Sequence, residues 1–262
     1  MFGPFSHFID SVARFIRWRD WGPGKIPIFC TVLAYLAFVN HTFSLKYFFE
    51  FIAFVIFAAI HSALGYVVND WGDRKIDKLH GKPNAFENIS RAKSTAALAA
   101  ILLCALLSVF PFLQRPLVFP LWLGWLFFAF SYSLQPIRLK ERGIVGLVFS
   151  SIAQWTIPIL ITFAAMQHFG GWDMLIFVIA HTISGATLEI AHQRHDRLND
   201  TATGTDTFGA RTSTAKLDRL YTSALFSDKI SLGIMLLIIT MRIISIKSSS
   251  LWLLISFLPL SL

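Results

Sequence analysis

The chain has 262 residues, of which 55% are hydrophobic and only 15% are charged. Soluble domains carry about a quarter charged residues, whereas apolar runs of roughly 18 residues or more are typical of membrane-spanning helices. The composition excludes a soluble globular core and predicts an all-α, polytopic helical bundle in a lipid bilayer. The net charge of +8 would suggest nucleic acid in a soluble protein. Here the basic residues follow the loops between apolar runs, so we expect no nucleic-acid partner.

Eight apolar segments follow one another along the chain, at residues 26–40, 47–69, 94–113, 116–134, 143–166, 173–191, 220–241 and 250–262. Residues 1–25 carry arginines between aromatic residues and are interpreted as an interfacial, amphipathic segment rather than a signal peptide. The last segment stops at Leu262 without a polar tail, as in a terminal helix or a truncated chain. Residues 1–262 are expected to form a single transmembrane domain.

The loops between these segments differ in charge from one side of the membrane to the other. Those on the side of the N-terminus carry about 18 of the 23 lysines and arginines. Because the cytoplasmic side of membrane proteins is enriched in these residues, we expect the N-terminus to be cytoplasmic. The two acidic motifs described next lie at helix ends on that same side.

The first acidic motif closes the second segment with the pattern N-D-x-x-D-x-x-x-D, formed by Asn69, Asp70, Asp73 and Asp77. On an α-helix these residues share one face, where clustered carboxylates repel each other unless cations bind. Such oxygen ligands suit Mg²⁺ held together with substrate phosphates, and acids at a membrane edge are candidates for function. The alternative is a solvated helix end, neutralised by neighbouring basic residues.

A second acidic stretch follows the sixth segment. If that helix continues, Glu189, Gln193, Asp196 and Asp200 are spaced four, three and four residues apart and also share one face. Two acidic helix ends on one side of the membrane could face each other and hold two Mg²⁺ ions and a diphosphate. A charged loop is the alternative.

Several cations are predicted on the same side as the carboxylates. Arg138, Lys140 and Arg142 follow the fourth segment, and Lys82 follows the first motif. Arg and Lys donate charge-assisted hydrogen bonds to phosphate oxygens, so they are candidate diphosphate ligands, although membrane topology alone explains any single one. Within the apolar segments, we expect His61 and His181 to be hydrogen-bond partners between helices.

Three signatures, in this order, resemble those of the UbiA-type intramembrane prenyltransferases. The family's N-D-x-x-D-x-x-x-D is complete at residues 69–77, and its D-x-x-x-D-x-x-x-G-x-x-T is present at residues 196–207. Its Y-S…P-x-R-L-K-x-R-G loop is similar to residues 132–143. The signatures cover roughly residues 20–220, and their combination is far more specific than a lone D-x-x-x-D.

The resemblance implies nine transmembrane helices around a central cavity that binds an isoprenyl diphosphate through two Mg²⁺ ions. It implies metal ligands at Asn69, Asp70, Asp73, Asp196 and Asp200, with Asp77 in support. The catalytic candidates are Asp70, Asp73, Asp196 and Asp200. The substrate-binding candidates are Asn69, Lys82, Tyr132, Arg138, Lys140 and Gln193. The chain differs from many members in having Lys82-Pro83 in place of Arg-Pro, Gln193 in place of Asp, and eight visible segments.

The sequence therefore predicts a Mg²⁺-dependent membrane prenyltransferase. It would ionise an isoprenyl diphosphate and transfer the prenyl group to an unidentified lipophilic acceptor, aromatic or otherwise. A terpene cyclase on the same scaffold would ionise the same donor and quench the cation within it. A non-catalytic transporter or binder of diphosphate lipids is the third alternative, although no internal repeat typical of transporters is visible.

Overall fold

The computed structural model describes residues 3–245, and in that range all regular structure is helical apart from one isolated β-bridge. The α-helices are α1 (Gly3–Phe15), α2 (Trp18–Val39), α3 (Leu45–Leu79), α4 (Arg91–Val109), α5 (Val118–Ser133), α6 (Ile144–Ser151), α7 (Ile157–Ala165), α8 (Trp172–Thr203), α9 (Phe208–Arg211) and α10 (Thr214–Ser245). A π-helical turn, Ile152–Thr156, joins α6 to α7.

The predicted all-α membrane bundle is confirmed. Six helices are long and apolar enough to cross a bilayer, with α6, the π turn and α7 forming one of them. The helix α5 is apolar but has only 16 residues. Each of the seven predicted segments within residues 3–245 overlaps one of these seven helices, and the eighth segment, 250–262, lies outside the described residues.

The second helix begins earlier than the apolar segment 26–40 predicts. The amphipathic helix α1 ends at Phe15, and the membrane helix α2 already begins at Trp18 and continues through Pro23 and Pro27. The first turns of α2 look polar in sequence because part of their surface faces a cavity instead of lipid, as the cavity-lining Lys25 illustrates. Apolar content alone therefore placed the start of the helix too late.

Two helices extend well beyond their predicted apolar segments. The 35 residues of α3 span about 52 Å at 1.5 Å per residue, whereas the hydrocarbon core of a bilayer is about 30 Å thick. The helix α8 is similarly long, with 32 residues. These extensions carry the two acidic motifs, so the conditional prediction of a continuing helix after the sixth segment is confirmed.

The core between α2, α3, α5 and α7 is rich in aromatic side chains, and a buried histidine joins two of these helices. Nδ1 of His61 lies 2.8 Å from the carbonyl oxygen of Phe57, and the Trp122 indole donates to His61 Nε2 at 2.7 Å. Both ring nitrogens are satisfied, as predicted for His61. The expectation for His181 is not met at Nδ1, which is buried without a hydrogen-bond partner among the described residues.

At the end of the bundle opposite the acidic motifs, a buried polar network fastens three segments together. The Tyr35 hydroxyl of α2 donates to Asp173 of α8 at 2.7 Å. In the α7–α8 loop, His168 lies 2.9 Å from the same carboxylate oxygen and 2.7 Å from the Asn40 side-chain oxygen. Because buried polar groups are costly when unpaired, this network fixes the spacing between α2 and α8.

Replacing Tyr35 with Phe should lower the free energy of unfolding by about 1.5 kcal/mol, because a hydrogen bond to a buried carboxylate is lost. The measurement is the thermal unfolding midpoint of the purified protein in detergent. Tyr221→Phe is the matched control, since the Tyr221 hydroxyl makes no hydrogen bond with the described residues. Equal midpoints for the two variants would contradict a stabilising role for the network.

Candidate active site

One cavity of about 1350 Å³ opens at the end of the bundle that carries the acidic motifs. Every predicted site residue except Arg142 lines it: Asn69, Asp70, Asp73, Asp77, Lys82, Tyr132, Arg138, Lys140, Gln193, Asp196 and Asp200. The Arg142 side chain instead donates to the backbone carbonyl of Ile137 at 2.8 Å. The polar residues lie toward the helix ends. Deeper in the bundle the lining is apolar and aromatic, with Phe29, Phe54, Phe57, Trp125 and Ile161.

Asp70 is almost completely buried, with 2% of its surface exposed. Its carboxylate accepts hydrogen bonds from Arg17 Nη1 at 3.1 Å and from the backbone N–H of Ala85 at 3.2 Å. Arg17, which also binds Asp20 at 2.7 Å, brings a cation from the α1–α2 junction to the first motif. No sequence pattern indicates this contact, because 53 residues separate the partners.

The Asp73 carboxylate is held by two cations from the loop after α5. Arg138 Nη2 donates to one oxygen at 2.8 Å, and Lys140 Nζ forms an ion pair with the other. Lys140 Nζ also donates to Asn69 Oδ1 at 3.0 Å. Burial lowers the pKa of Lys140, and the charge of Asp73 acts in the opposite direction. The loop after α5 and the first motif therefore meet at one point.

Both arginines that reach the first motif have a left-handed backbone, with φ of 54° at Arg17 and 40° at Arg138. Residues other than glycine rarely adopt this conformation, and such strain persists only where the surrounding structure holds it in place. At Arg17 the left-handed conformation interrupts the helical path between α1 and α2. At Arg138 it precedes the 3₁₀ turn Leu139–Glu141, so that Arg138 and Lys140 both point at Asp73.

The loop after α3 folds back over the first motif through Asn84. The Asn84 amide donates to Asp77 Oδ2 and to the backbone carbonyl of Asp70, both at 2.7 Å. One side chain thus links the backbone of the first acidic residue of the motif to the carboxylate of the last. Asn84 was missed in the sequence because an isolated Asn in a loop carries no periodic signal.

The second acidic motif contacts the loop after α3, which also contacts the first motif. Lys82 Nζ lies 3.7 Å from Asp200 Oδ1, and the Thr207 hydroxyl donates to Asp200 Oδ2 at 3.0 Å. The helix α8 ends just beyond, at Gly204, whose φ of 68° is the left-handed conformation favoured by glycine at helix ends. Asp196 lines the cavity without an ion pair or hydrogen bond to the described residues.

Gln193 and Glu189 lie one to two helical turns before Asp196 on α8, and both are polar residues that line the cavity. Gln193 donates to Glu189 Oε1 at 3.1 Å and accepts from the Gly209 N–H at 2.9 Å. The buried Glu189 also accepts from the Ser150 hydroxyl at 2.7 Å. Gln193 therefore connects α8 to α9 at the cavity wall, and its substrate-binding role stays a prediction.

The donor set suits a hard divalent cation. Carboxylate and amide oxygens from α3 and α8 line one cavity, and Mg²⁺ prefers such ligands together with phosphate oxygens and water. Among residues 3–245, no three His, Cys, Asp or Glu side chains converge on one point. Arg17, Arg138, Lys140 and Lys82 instead pair with Asp70, Asp73 and Asp200. Substrate phosphates would have to supply part of the coordination shell.

Gly72, inside the first motif, allows α3 and α5 to approach closely. A Cβ at this position would lie 2.8 Å from the backbone oxygen of Ser133, closer than normal packing allows. This approach places the start of the basic loop against the acidic face of α3.

We expect Gly72→Ala to lower the free energy of unfolding by about 1–3 kcal/mol through overpacking. Gly124→Ala in α5 is the control, since a Cβ there meets no atom within 4 Å. Thermal unfolding in detergent measures both variants. A Gly72→Ala protein as stable as Gly124→Ala would contradict the close approach.

The profile of the UbiA prenyltransferase family matches residues 28–262. Solved structures of a UbiA homolog from Archaeoglobus fulgidus share the fold. The one bound to GPP and Mg²⁺ has a TM-score of 0.64 at 17% identity, covering 94% of this chain and 87% of that chain. The one bound to DMAPP and Mg²⁺ has a TM-score of 0.57 at 18% identity, covering 95% and 94%. A comparison with curated proteins gave no match. The chain is a multi-pass membrane protein that belongs to the UbiA prenyltransferase family.

Proposed function

We propose that this protein is a Mg²⁺-dependent prenyltransferase, which ionises an isoprenyl diphosphate and transfers the prenyl group to a lipophilic acceptor. The observation that carries the proposal is the shared cavity. Both acidic motifs and the basic loop line its outer part, and aromatic side chains line its depth. A ligand with a charged diphosphate head and an apolar tail fits a cavity that is polar in its outer part and apolar in its depth.

We place the diphosphate head of the donor at the polar end of the cavity. Asn69, Asp70, Asp73, Asp196 and Asp200 would hold two Mg²⁺ ions, with Asp77 in support. The A. fulgidus homolog was solved with Mg²⁺ and with GPP or DMAPP, which supports this ligand class. Bound Mg²⁺ neutralises the charge that develops on a departing diphosphate.

The chain's own cations also neutralise the charge of the departing diphosphate. Arg138 and Lys140, which hold Asp73 here, can donate to diphosphate oxygens, and Lys82 can do the same from the facing loop. The fold already holds these groups at the mouth of the cavity, close to where the charge of the departing diphosphate would develop, as electrostatic catalysis requires.

The tail of the donor is assigned to the apolar depth. Phe54, Phe57 and Trp125 line this region and exclude water from the allylic cation that forms when the C–O bond breaks. Aromatic faces also attract cations. The electron pair of the broken bond leaves with the diphosphate, and the acceptor supplies the pair for the new bond and releases a proton.

We further propose that the acidic end of the bundle faces the cytoplasm. The excess of Lys and Arg in the loops at this end supports it. The contact between Arg17 and Asp70 supports an N-terminal junction on the same side as the first motif.

Replacing Asp73 or Asp196 with Asn should reduce Mg²⁺-dependent diphosphate release by about 100-fold or more, because groups that stabilise transition-state charge have effects of this size. The assay supplies geranyl, farnesyl and geranylgeranyl diphosphates to the purified protein, with Mg²⁺ or EDTA. Asp218→Asn is the matched control, since Asp218 is an exposed carboxylate paired with Arg194 outside the cavity. Wild-type rates in both cavity variants would contradict the proposal.

The same assay, run with and without phenolic and quinone-precursor acceptors, separates the alternatives. Release that requires an acceptor and yields a prenylated product is the expected result. Acceptor-independent release with cyclic hydrocarbon products would identify a terpene cyclase. Mg²⁺-dependent binding of the donors without any turnover would favour a binding protein.

A further inference from the structure

A carboxylate lies buried in the wall of the cavity without a cation beside it. Glu189 of α8 is 8% exposed and lines the cavity. It takes part in none of the ion pairs among residues 3–245, whereas Asp70, Asp73 and Asp200 each pair with a cation. A buried charge that lacks an opposite charge destabilises a fold, so a carboxylate kept at this place indicates a function.

Neutral hydrogen-bond donors hold the Glu189 side chain in place. The Ser150 hydroxyl of α6 donates to Oε2 at 2.7 Å, and the Gln193 amide donates to Oε1 at 3.1 Å. Gln154 in turn donates to Ser150 Oγ at 2.9 Å and accepts from Lys25. Because an ionised carboxylate has about four acceptor positions, each Glu189 oxygen can still accept a hydrogen bond from a ligand in the cavity.

Glu189 lies deeper in the cavity than the predicted metal site. It precedes Asp196 by seven residues of α8, which is about 10 Å along the helix. The phenol groups of Tyr66 and Tyr132 lie close enough to interact with its charge, and Tyr66 precedes Asn69 of the first motif by three residues of α3. With a diphosphate at the acidic motifs, the carboxylate is therefore at the level of the donor's first carbon atoms.

We propose that Glu189 is the general base of the transfer reaction, which accepts a hydrogen bond from a hydroxyl group of the acceptor and then takes that proton. This rests on the proposed transferase function and restricts the acceptor to molecules whose hydroxyl group is on, or conjugated with, the nucleophilic atom. A carboxylate fixed by hydrogen bonds and within reach of the ligand meets the geometric requirement for such a base.

The bonds and charges of this step balance. The allylic C–O bond of the donor breaks, and its electron pair leaves with the diphosphate. An electron pair of the acceptor forms the new bond to the allylic carbon. The electron pair of the acceptor's O–H bond stays on the acceptor while the proton moves to a Glu189 oxygen, and the neutral acid returns the proton to water after the product leaves.

The first measurement is acceptor binding by calorimetry on the full chain in detergent, with Mg²⁺ and a non-reactive thiolo analogue of geranyl diphosphate in the donor site. The probes are naphthol and hydroquinone, each beside its methyl ether, which lacks the O–H group. The proteins are wild type, Glu189→Gln, Glu189→Asp and the control Glu50→Gln, whose carboxylate pairs with Arg115 outside the cavity.

We expect wild type to bind at least one hydroxyl probe about tenfold more tightly than its ether, as a hydrogen bond to a charged group implies. Glu189→Gln should lose most of this preference, because an amide oxygen is a weaker acceptor than a carboxylate. Glu189→Asp should keep part of it, and Glu50→Gln all of it. Affinity for the donor analogue should stay within about twofold in every variant.

The second measurement is the rate of transfer from geranyl diphosphate. Glu189→Gln should slow transfer to naphthol by about 100-fold or more, which is a usual contribution of a general base. A naphthol with a para nitro group, already ionised in the assay buffer, needs no base, so the same substitution should slow its transfer far less. A side chain that only supported the fold would slow both acceptors equally.

Three results would overturn the inference. These are hydroxyl probes and ethers binding wild type alike or not at all, a Glu189→Gln protein that transfers to naphthol at the wild-type rate or slows both acceptors equally, and a large loss of donor affinity in that variant. The last would make Glu189 part of the diphosphate site. A wild-type protein that binds no donor analogue, or transfers to no acceptor, would instead contradict the proposed function, and the hydroxyl preference measured in the binding experiment would still test Glu189.

Discussion

Carboxylates at the end of an apolar bundle require compensating positive charge, and much of this structure follows from that requirement. A buried acid without a partner is strongly unfavourable. Asp70 takes its cation from the α1–α2 junction, Asp73 from the loop after α5, and Asp200 from the loop after α3. These ion pairs draw three separate segments to the mouth of one cavity.

The same pairing makes the site adaptable. Under the proposed function, a diphosphate with Mg²⁺ would present both signs of charge, so it would exchange partners with the ion pairs already present and leave little charge uncompensated. Under the proposed function, Arg138 and Lys140, which contact Asp73 and Asn69 here, would exchange these partners for a phosphate. The positive φ at Arg17 and Arg138 indicates that the backbone holds these cations in place against local preference.

The sequence predicted those features that depend on local periodicity. The 3.6-residue spacing of Asn69, Asp73 and Asp77 was enough to place them on one helix face, and seven apolar segments became helices. Features that depend on tertiary approach were not predictable. The contact of Arg17 with Asp70, the bridge by Asn84 and the π turn at Gln154 each require knowledge of which distant segments meet. The early start of α2 was missed because a cavity-facing helix surface carries polar residues, among them Lys25.

The central claim is that α3 and α8 contribute to one ligand site, and a double-mutant cycle on Asp73 and Asp196 tests it directly. The measured quantity is the Mg²⁺-dependent affinity for a thiolo analogue of geranyl diphosphate in Asp73→Asn, Asp196→Asn and the combined variant. Residues acting on one ligand are strongly non-additive, so the combined variant should lose little more affinity than either single one. Losses that simply add, or single variants that bind as tightly as wild type, would contradict a shared site.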